Sequence, residues 1–257
     1  MIDVAAIVVA AGQGTRFGSD IPKQFLLLQN RPIIVHALER LQSAAVISQI
    51  IIVVGKDWVP YIGREIVGRF NFDKISAIIP GGKERQDSVF AGLQALPTPH
   101  EVVIVHDAVR PLFSVNLLER VINGCHDFDA CVPGLLPRDT VKRIDGDRII
   151  ETEPRESLRL VQTPQAFRYQ SLMQAFEQAQ ATNFYSTDEA ALIEKFGGRV
   201  GCVEGEETNL KITTPRDLQI AEIFCSADFQ SAKSSLVILP CASVSDTTSI
   251  PSSLVEN

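Results

Sequence analysis

Arg16 and Lys23 follow a glycine-rich turn, Ala10-Ala11-Gly12-Gln13-Gly14-Thr15-Arg16-Phe17-Gly18, which is preceded by the apolar run Val4-Ala5-Ala6-Ile7-Val8-Val9. Such a run, rich in β-branched residues and ending in glycines, predicts a buried parallel strand feeding a loop whose amides can turn toward anionic oxygens. Two cations beside those amides would hold a triphosphate. Spacing excludes the two commoner loops of this kind. A dinucleotide-binding turn has G-x-G-x-x-G, whereas Gly18 falls one place late, and a P-loop needs G-K-[ST] where this chain has Gly14-Thr15-Arg16. What remains, G-x-G-x-x-x-G with two cations downstream, is the pattern expected for nucleotidyl transfer. An ordinary strand-to-helix turn is the plain alternative, and Arg16 and Lys23 weigh against it.

A second glycine pair opens Gly81-Gly82-Lys83-Glu84-Arg85-Gln86-Asp87-Ser88-Val89 and runs into a helix that Asp87 or Ser88 would cap. Backbone groups brought close by glycines can read the donor and acceptor pattern of a flat base, so this loop can select a nucleobase. Further on, Val105-His106-Asp107-Ala108-Val109-Arg110-Pro111 places a carboxylate and a guanidinium three residues apart. Asp107 suits ribose hydroxyls, substrate hydroxyls or a phosphate-bound Mg2+, and Arg110 suits a phosphate held bidentately; an Asp107–Arg110 ion pair is the alternative. His106 has no nucleophile or metal-ligand cluster beside it and reads as a hydrogen-bonded structural residue. Thr163-Pro164-Gln165, Ser186-Thr187-Asp188-Glu189 and Asn209-Leu210-Lys211-Ile212-Thr213 are polar clusters in apolar surroundings, each of which also passes for a cap or turn. Thr187 with Asp188 starts an expected helix Glu189–Phe196, and Thr214-Pro215 starts the last one.

The elements that must position these residues alternate. Strand-like runs at Val4–Ala10, Gln49–Val54, Ile75–Ile79 and Val102–His106 interleave with helix-like stretches at Pro32–Ser43, Pro60–Phe70, Asp87–Leu96 and Val115–Cys125. That rhythm predicts an α/β fold with a doubly wound, mostly parallel, Rossmann-like sheet, and it puts the chemistry in the loops beyond the carboxyl ends of the strands. From Leu136 to Thr163 the rhythm breaks. Thr140–Ile144 and Arg148–Thr152 flank Asp145-Gly146, a hairpin signal with a charged surface, so a projecting arm over about residues 136–162 is expected; such an arm often grips a second subunit, and a decorated surface hairpin is the plain alternative. After Phe224 a Ser-rich run from Ser226 to Asn257 reads as a mobile tail beyond a domain of residues 1–225. It is too short for a second domain, which would need about 100 residues.

The 257 residues, 45% of them hydrophobic, suffice for a substantial core. A net charge of −7 argues against a nucleic-acid surface, which needs a clustered basic face, and favours a small-molecule substrate. The five cysteines, Cys125, Cys131, Cys202, Cys225 and Cys241, are odd in number and lack a C-x-x-C pair, so neither a disulfide framework nor a zinc site is indicated. No apolar run approaches the roughly 20 residues of a membrane span. The first expected strand begins almost at Met1, and the expectation is a cytoplasmic protein.

Taken together, A-A-G-Q-G-T-R-F-G with P-K-Q, G-G-K-E-R-Q-D-S-V, V-H-D-A-V-R-P, D-T-V-K-R, Q-T-P-Q-A-F, T-D-E-A and N-L-K-I-T-T-P-R-D-L, in that order between about Val4 and Phe224, resemble the 2-C-methyl-D-erythritol 4-phosphate cytidylyltransferases of the non-mevalonate isoprenoid pathway. The resemblance implies transfer of the cytidylyl group of CTP to methylerythritol phosphate with release of pyrophosphate, with Mg2+ and on a homodimer. It places Arg16 and Lys23 on the transition state and triphosphate, and Ala10, Ala11, Gly12, Gly14, Gly82, Lys83 and Ser88 on CTP. Asp107, Ala108, Arg110, Thr140, Thr163, Thr187 and Lys211 fall around the sugar phosphate, and Arg155 on the arm residue that enters the partner's site. Arg155 and Lys211 would orient the acceptor. No directly ligated metal is implied: Mg2+ would ride mainly on the CTP phosphates, with Asp107 a possible contact. Lys83 stands where an acidic residue is often found. V-H-D-A-V-R-P and K-I-T-T-P are also similar to ribitol 5-phosphate cytidylyltransferases, but G-G-K-E-R-Q-D-S-V, D-T-V-K-R and L-V-Q-T-P-Q look more like the former family. A nucleotide-binding protein that kept the fold and lost activity is the rival from another class, and intact Arg16, Lys23 and Lys211 argue against it.

Overall fold

Four apolar runs form the parallel centre of one sheet: Val4–Ala10 (β1), Ile47–Val54 (β2), Ile75–Pro80 (β3) and Val102–Asp107 (β4). The computed structural model describes residues 2–12 and 21–226, so Gly14, Arg16 and the Ser-rich tail lie outside the described residues except for Ser226. β1 pairs with β2 on one side, β2 with β3 beyond it, and β4 closes on the other side of β1. β1, β2 and β4 are buried on both faces, which is why they read as continuous apolar runs instead of alternating ones.

The rest of the sheet was not foreseen. Ala130–Leu135 (β5) is followed by the ribbon of Lys142–Asp145 (β6) and Arg148–Thr152 (β7), then by Leu160–Val161 (β8), Gln165–Arg168 (β9) and Val200–Glu204 (β10). β8 and β9 form one interrupted line along β5, antiparallel to it, and β9 also pairs antiparallel with β4. The break falls at Thr163-Pro164, where proline has no N–H to give a ladder. β10 runs parallel to β5 on its far side. The sheet is therefore mostly parallel, as expected, with the β8/β9 line reversed.

Helices cover both faces. Ile33–Ser43 (α1), then Val115–Gly124, pack with Val4, Ala6, Ile50, Ile52 and Ile104 on one side. Arg85–Gln94 (α2) packs with Ala5, Ile7, Ile51, Val53 and Val105 on the other. Val115–Gly124 is α3; Tyr169–Thr182 (α4) and Glu189–Lys195 (α5) join the α2 face. Pro215–Cys225 (α6), capped by Thr214, closes on Leu28, Ile33 and Ile212. This is the doubly wound arrangement. The expected helix Pro60–Phe70 begins earlier, with a 3-10 turn at Lys56–Trp58, and passes through a π-helical stretch at Ile62–Val67 that buries Ile62 and Ile66. The ribbon of β6 and β7 stands apart from the main sheet with every residue exposed, and Gly146 takes φ +55° in its turn.

Candidate active site

The chain winds outward from β1 through β2 to β3 and returns to place β4 on the opposite side of β1, so the strand order reverses between β1 and β4. A crevice opens beyond the carboxyl ends at such a point. It is lined by Ala10, Ala11 and Gly12 after β1, by Lys23 and Gln24, by Gly82, Lys83, Glu84, Arg85 and Ser88 after β3, by Asp107 at the end of β4, and by Lys211. The residues that open the glycine-rich turn, Ala10 to Gly12, thus meet the second glycine pair and the β4 terminus in one place.

Local hydrogen bonds hold the walls. Gln24 Nε2 donates to Ala10 O at 2.6 Å, tying the Lys23 turn to the end of β1. Gly81 must be glycine, because a Cβ there would lie 2.6 Å from Ala11 Cβ and 2.7 Å from Ser88 Oγ. Ser88 Oγ accepts from Gly82 N–H and donates to Glu84 O, each at 3.1 Å. The cap of α2 differs from the expectation: Glu84 is the N-cap, and Asp87, at the third helical position, accepts from Glu84 N–H in a capping box. The helix starts two residues early, which brings Arg85 into the crevice.

Four charges of alternating sign cross the floor. Glu189 accepts from Arg85 Nη1 on both carboxylate oxygens at 2.7 Å, Arg85 Nε and Nη2 donate to Asp107 Oδ1 at 3.2 Å, and Lys211 Nζ lies 2.7 Å from Asp107 Oδ2. Burial alone would raise the Asp107 carboxyl, but Arg85, Lys211 and Arg110 hold it well below the usual carboxylate range. Burial opposes charge on Arg85, and Glu189 with Asp107 more than offsets it. Burial pushes Glu189 upward, an effect that Arg85 offsets in part. The alternative Asp107–Arg110 pair is not formed: Arg110 Nη1 donates to Asn209 O at 2.8 Å.

Beneath Asp107, the backbone is pinned. Its N–H donates to Thr163 Oγ1 at 3.1 Å, and Thr163 Oγ1 meets His106 Nδ1 at 3.2 Å. His106 Nε2 faces Arg110 O at 3.0 Å; a carbonyl only accepts, so Nε2 carries the proton and Nδ1 accepts from Thr163. Burial, offset only partly by Asp107 and the Arg110 bond, lowers His106 to about 4. Its structural role is as expected. Asn209 Nδ2 donates to Thr163 O at 2.9 Å, fixing the segment that presents Lys211.

The remaining expected residues are elsewhere. Ala108 is buried, its N–H bonded to Val9 O. Thr187 is exposed just before Asp188, the N-cap of α5, whose Oδ1 accepts from Ala191 N–H. Thr140 is exposed at the root of the arm; Arg155 is also exposed, donates to Arg138 O, and is absent from the crevice of its own chain. Arg85 and Glu189 were not singled out from sequence; the signal available was the charge inside G-G-K-E-R and T-D-E-A.

The family model described as IspD, 2-C-methyl-D-erythritol 4-phosphate cytidylyltransferase, matches residues 4–227. Over 223 residues the chain is 40% identical to the protein of that name from Geotalea uraniireducens (strain Rf4), covering 86% of this chain and 96% of the relative. It is 40% identical to the one from Pelotomaculum thermopropionicum over 228 residues, 88% of this chain and 96% of the relative. Among solved structures it is similar to the 4-diphosphocytidyl-2C-methyl-D-erythritol synthase of Anaerococcus prevotii DSM 20548, with TM-score 0.77 and 32% identity over 87% of this chain and 96% of that one. The 2-C-methyl-D-erythritol 4-phosphate cytidylyltransferase of Thermus thermophilus gives TM-score 0.69 at 32% identity, over 87% of this chain and 98% of that one.

Proposed function

The chain belongs to the 2-C-methyl-D-erythritol 4-phosphate cytidylyltransferase family, and from that premise we infer that it transfers the cytidylyl group of CTP to methylerythritol phosphate in isoprenoid precursor synthesis. The observation that carries the reading at the level of residues is the crevice itself, where Lys23, Lys83 and Lys211 join Gly12 and Gly82 at the β1/β4 reversal. An oxygen of the acceptor phosphate forms a bond to the α-phosphorus of CTP, and the bond from that phosphorus to the β-phosphate oxygen breaks. The attacking group is already ionised, so no general base is needed. The difficulty is bringing one anion onto another, and fixed cations that neutralise and orient both are what the chemistry requires.

In this reading the loop residues Ala10, Ala11, Gly12, Gly14, Gly82, Lys83 and Ser88 hold CTP, with Arg16 and Lys23 on its triphosphate. Asp107, Ala108, Arg110, Thr140, Thr163 and Thr187 surround the acceptor, and Lys211 with Arg155 orients its phosphate. Because Arg155 lies on the arm, the reading requires a second copy of the chain to supply it. The exposed Ile144, Ile149 and Ile150 of the ribbon give that contact an apolar surface. A Mg2+ held directly by Asp107 would meet the Arg85 guanidinium and the Lys211 ammonium on the same carboxylate. Mg2+ is therefore placed with the triphosphate, as part of the substrate. No helix among the described residues is long and apolar enough to cross a membrane. A cytoplasmic location is part of the same proposal.

The test is Mg2+-dependent pyrophosphate release from CTP with methylerythritol phosphate and, side by side, ribitol 5-phosphate. Preference for methylerythritol phosphate is expected. Preference for ribitol phosphate would move the acceptor assignment, and no release with either would leave a binding protein.

A further inference from the structure

Arg85 lies in the crevice yet has its donors engaged within the protein. Its Nε and Nη2 fork onto one oxygen of Asp107, and its Nη1 meets both oxygens of Glu189, whose side chain is 2% exposed. The other oxygen of Asp107 holds Lys211 Nζ. The four residues come from α5, α2, the end of β4 and the segment before α6, so no local sequence constraint brings them together. We propose that Arg85, braced by Glu189, is a positioning residue for the acceptor phosphate: it shares Asp107 with Lys211 and so fixes where the Lys211 ammonium stands and how much of its charge is left for the substrate.

Two physical consequences separate this from a merely structural ion pair. A carboxylate shared between two cations is only partly satisfied by each, whereas without Arg85, Lys211 would be the one cation left bonded to Asp107 and would feel more of its charge. The planar guanidinium also sets the Asp107 rotamer through two donors on one oxygen, which an ammonium cannot reproduce. Loss of Arg85 should therefore weaken capture of the acceptor and leave CTP, which the glycine loops hold, largely alone.

The inference rests on the reading of Lys211 as the acceptor's cation, and the experiment keeps the two apart. Steady-state rates are measured with CTP and methylerythritol phosphate varied separately for Arg85→Gln combined with Glu189→Gln, a pair that leaves no lone buried charge. The acceptor KM should rise about tenfold or more while the CTP KM stays within about twofold. On a Lys211→Met background the same pair should add less than about twofold, because residues acting through one another are not additive. Equal rises in both KM values, or a full multiplicative effect on Lys211→Met, would overturn the inference. If the paired variant does not fold, Arg85→Lys is measured instead: a raised acceptor KM with unchanged CTP KM supports the inference, and wild-type constants sink it. A wild-type enzyme inactive toward methylerythritol phosphate strikes the functional reading; an active one with an unmoved acceptor KM strikes only this inference.

Discussion

The His106 ring bridges Thr163 and the Arg110 carbonyl only while one nitrogen accepts and the other donates, that is, while it is neutral. Its folded pKa, lowered to about 4, lies below the ordinary value of 6.5. The unfolded chain therefore binds the proton first as pH falls, so the stability His106 contributes is present above about pH 6.5 and is lost down to about pH 4, in total about 3 kcal/mol. Urea unfolding at pH 7 and pH 4.5 should show a smaller pH loss in His106→Asn than in wild type. Equal losses would mean the ring is not held neutral. At Arg85 the pairing with buried Glu189 carries a second expectation. Arg85→Met strands the Glu189 charge and should lower unfolding stability by about 3–5 kcal/mol, whereas removing both charges together should cost distinctly less. Matching losses in the two variants would contradict the pairing.

At the scale of elements, the site depends on how closely the end of β1 meets the start of α2. Gly81 sits between Ala11 and Ser88 with no room for a methyl group. Gly81→Ala should push these walls apart and raise the CTP KM about tenfold, on the scale of a small misplacement in a binding site. A CTP KM within twofold of wild type would show that the walls are not in register with the nucleotide. This juncture was legible because β1, β2 and β4 are long apolar runs ending in glycine or charge. The start of α2 was less so, since both Glu84 and Asp87 can cap, and which one does depends on a reciprocal bond that sequence alone leaves open. β5 carries Pro133 and Gly134, and β9 has only four residues, so neither shows strand periodicity. Arg85 and Glu189 stand 104 residues apart, and only the tertiary fold reveals that they are partners.

Across the whole molecule, the arm is the part to which the proposed function gives a purpose outside its own chain. Its strands are exposed throughout, with Ile144 at 63% and Ile149 at 59%, and Arg155 follows them. The proposed homodimer predicts that Ile144→Asp with Ile149→Asp shifts the mass measured by light scattering from two copies toward one and lowers activity with it. A fully active monomer would detach the arm from the site. The hairpin was readable from Asp145-Gly146, but Arg155 does not line the crevice of its own chain, and the role proposed for it requires a second copy. The central claim, that fixed cations at the β1/β4 reversal carry cytidylyl transfer, is tested most directly by measuring kcat of Lys23→Ala for pyrophosphate release from CTP and methylerythritol phosphate, with its melting temperature taken alongside. A fall of about a hundredfold or more with a near-native melting temperature is the predicted result; wild-type turnover would contradict the account.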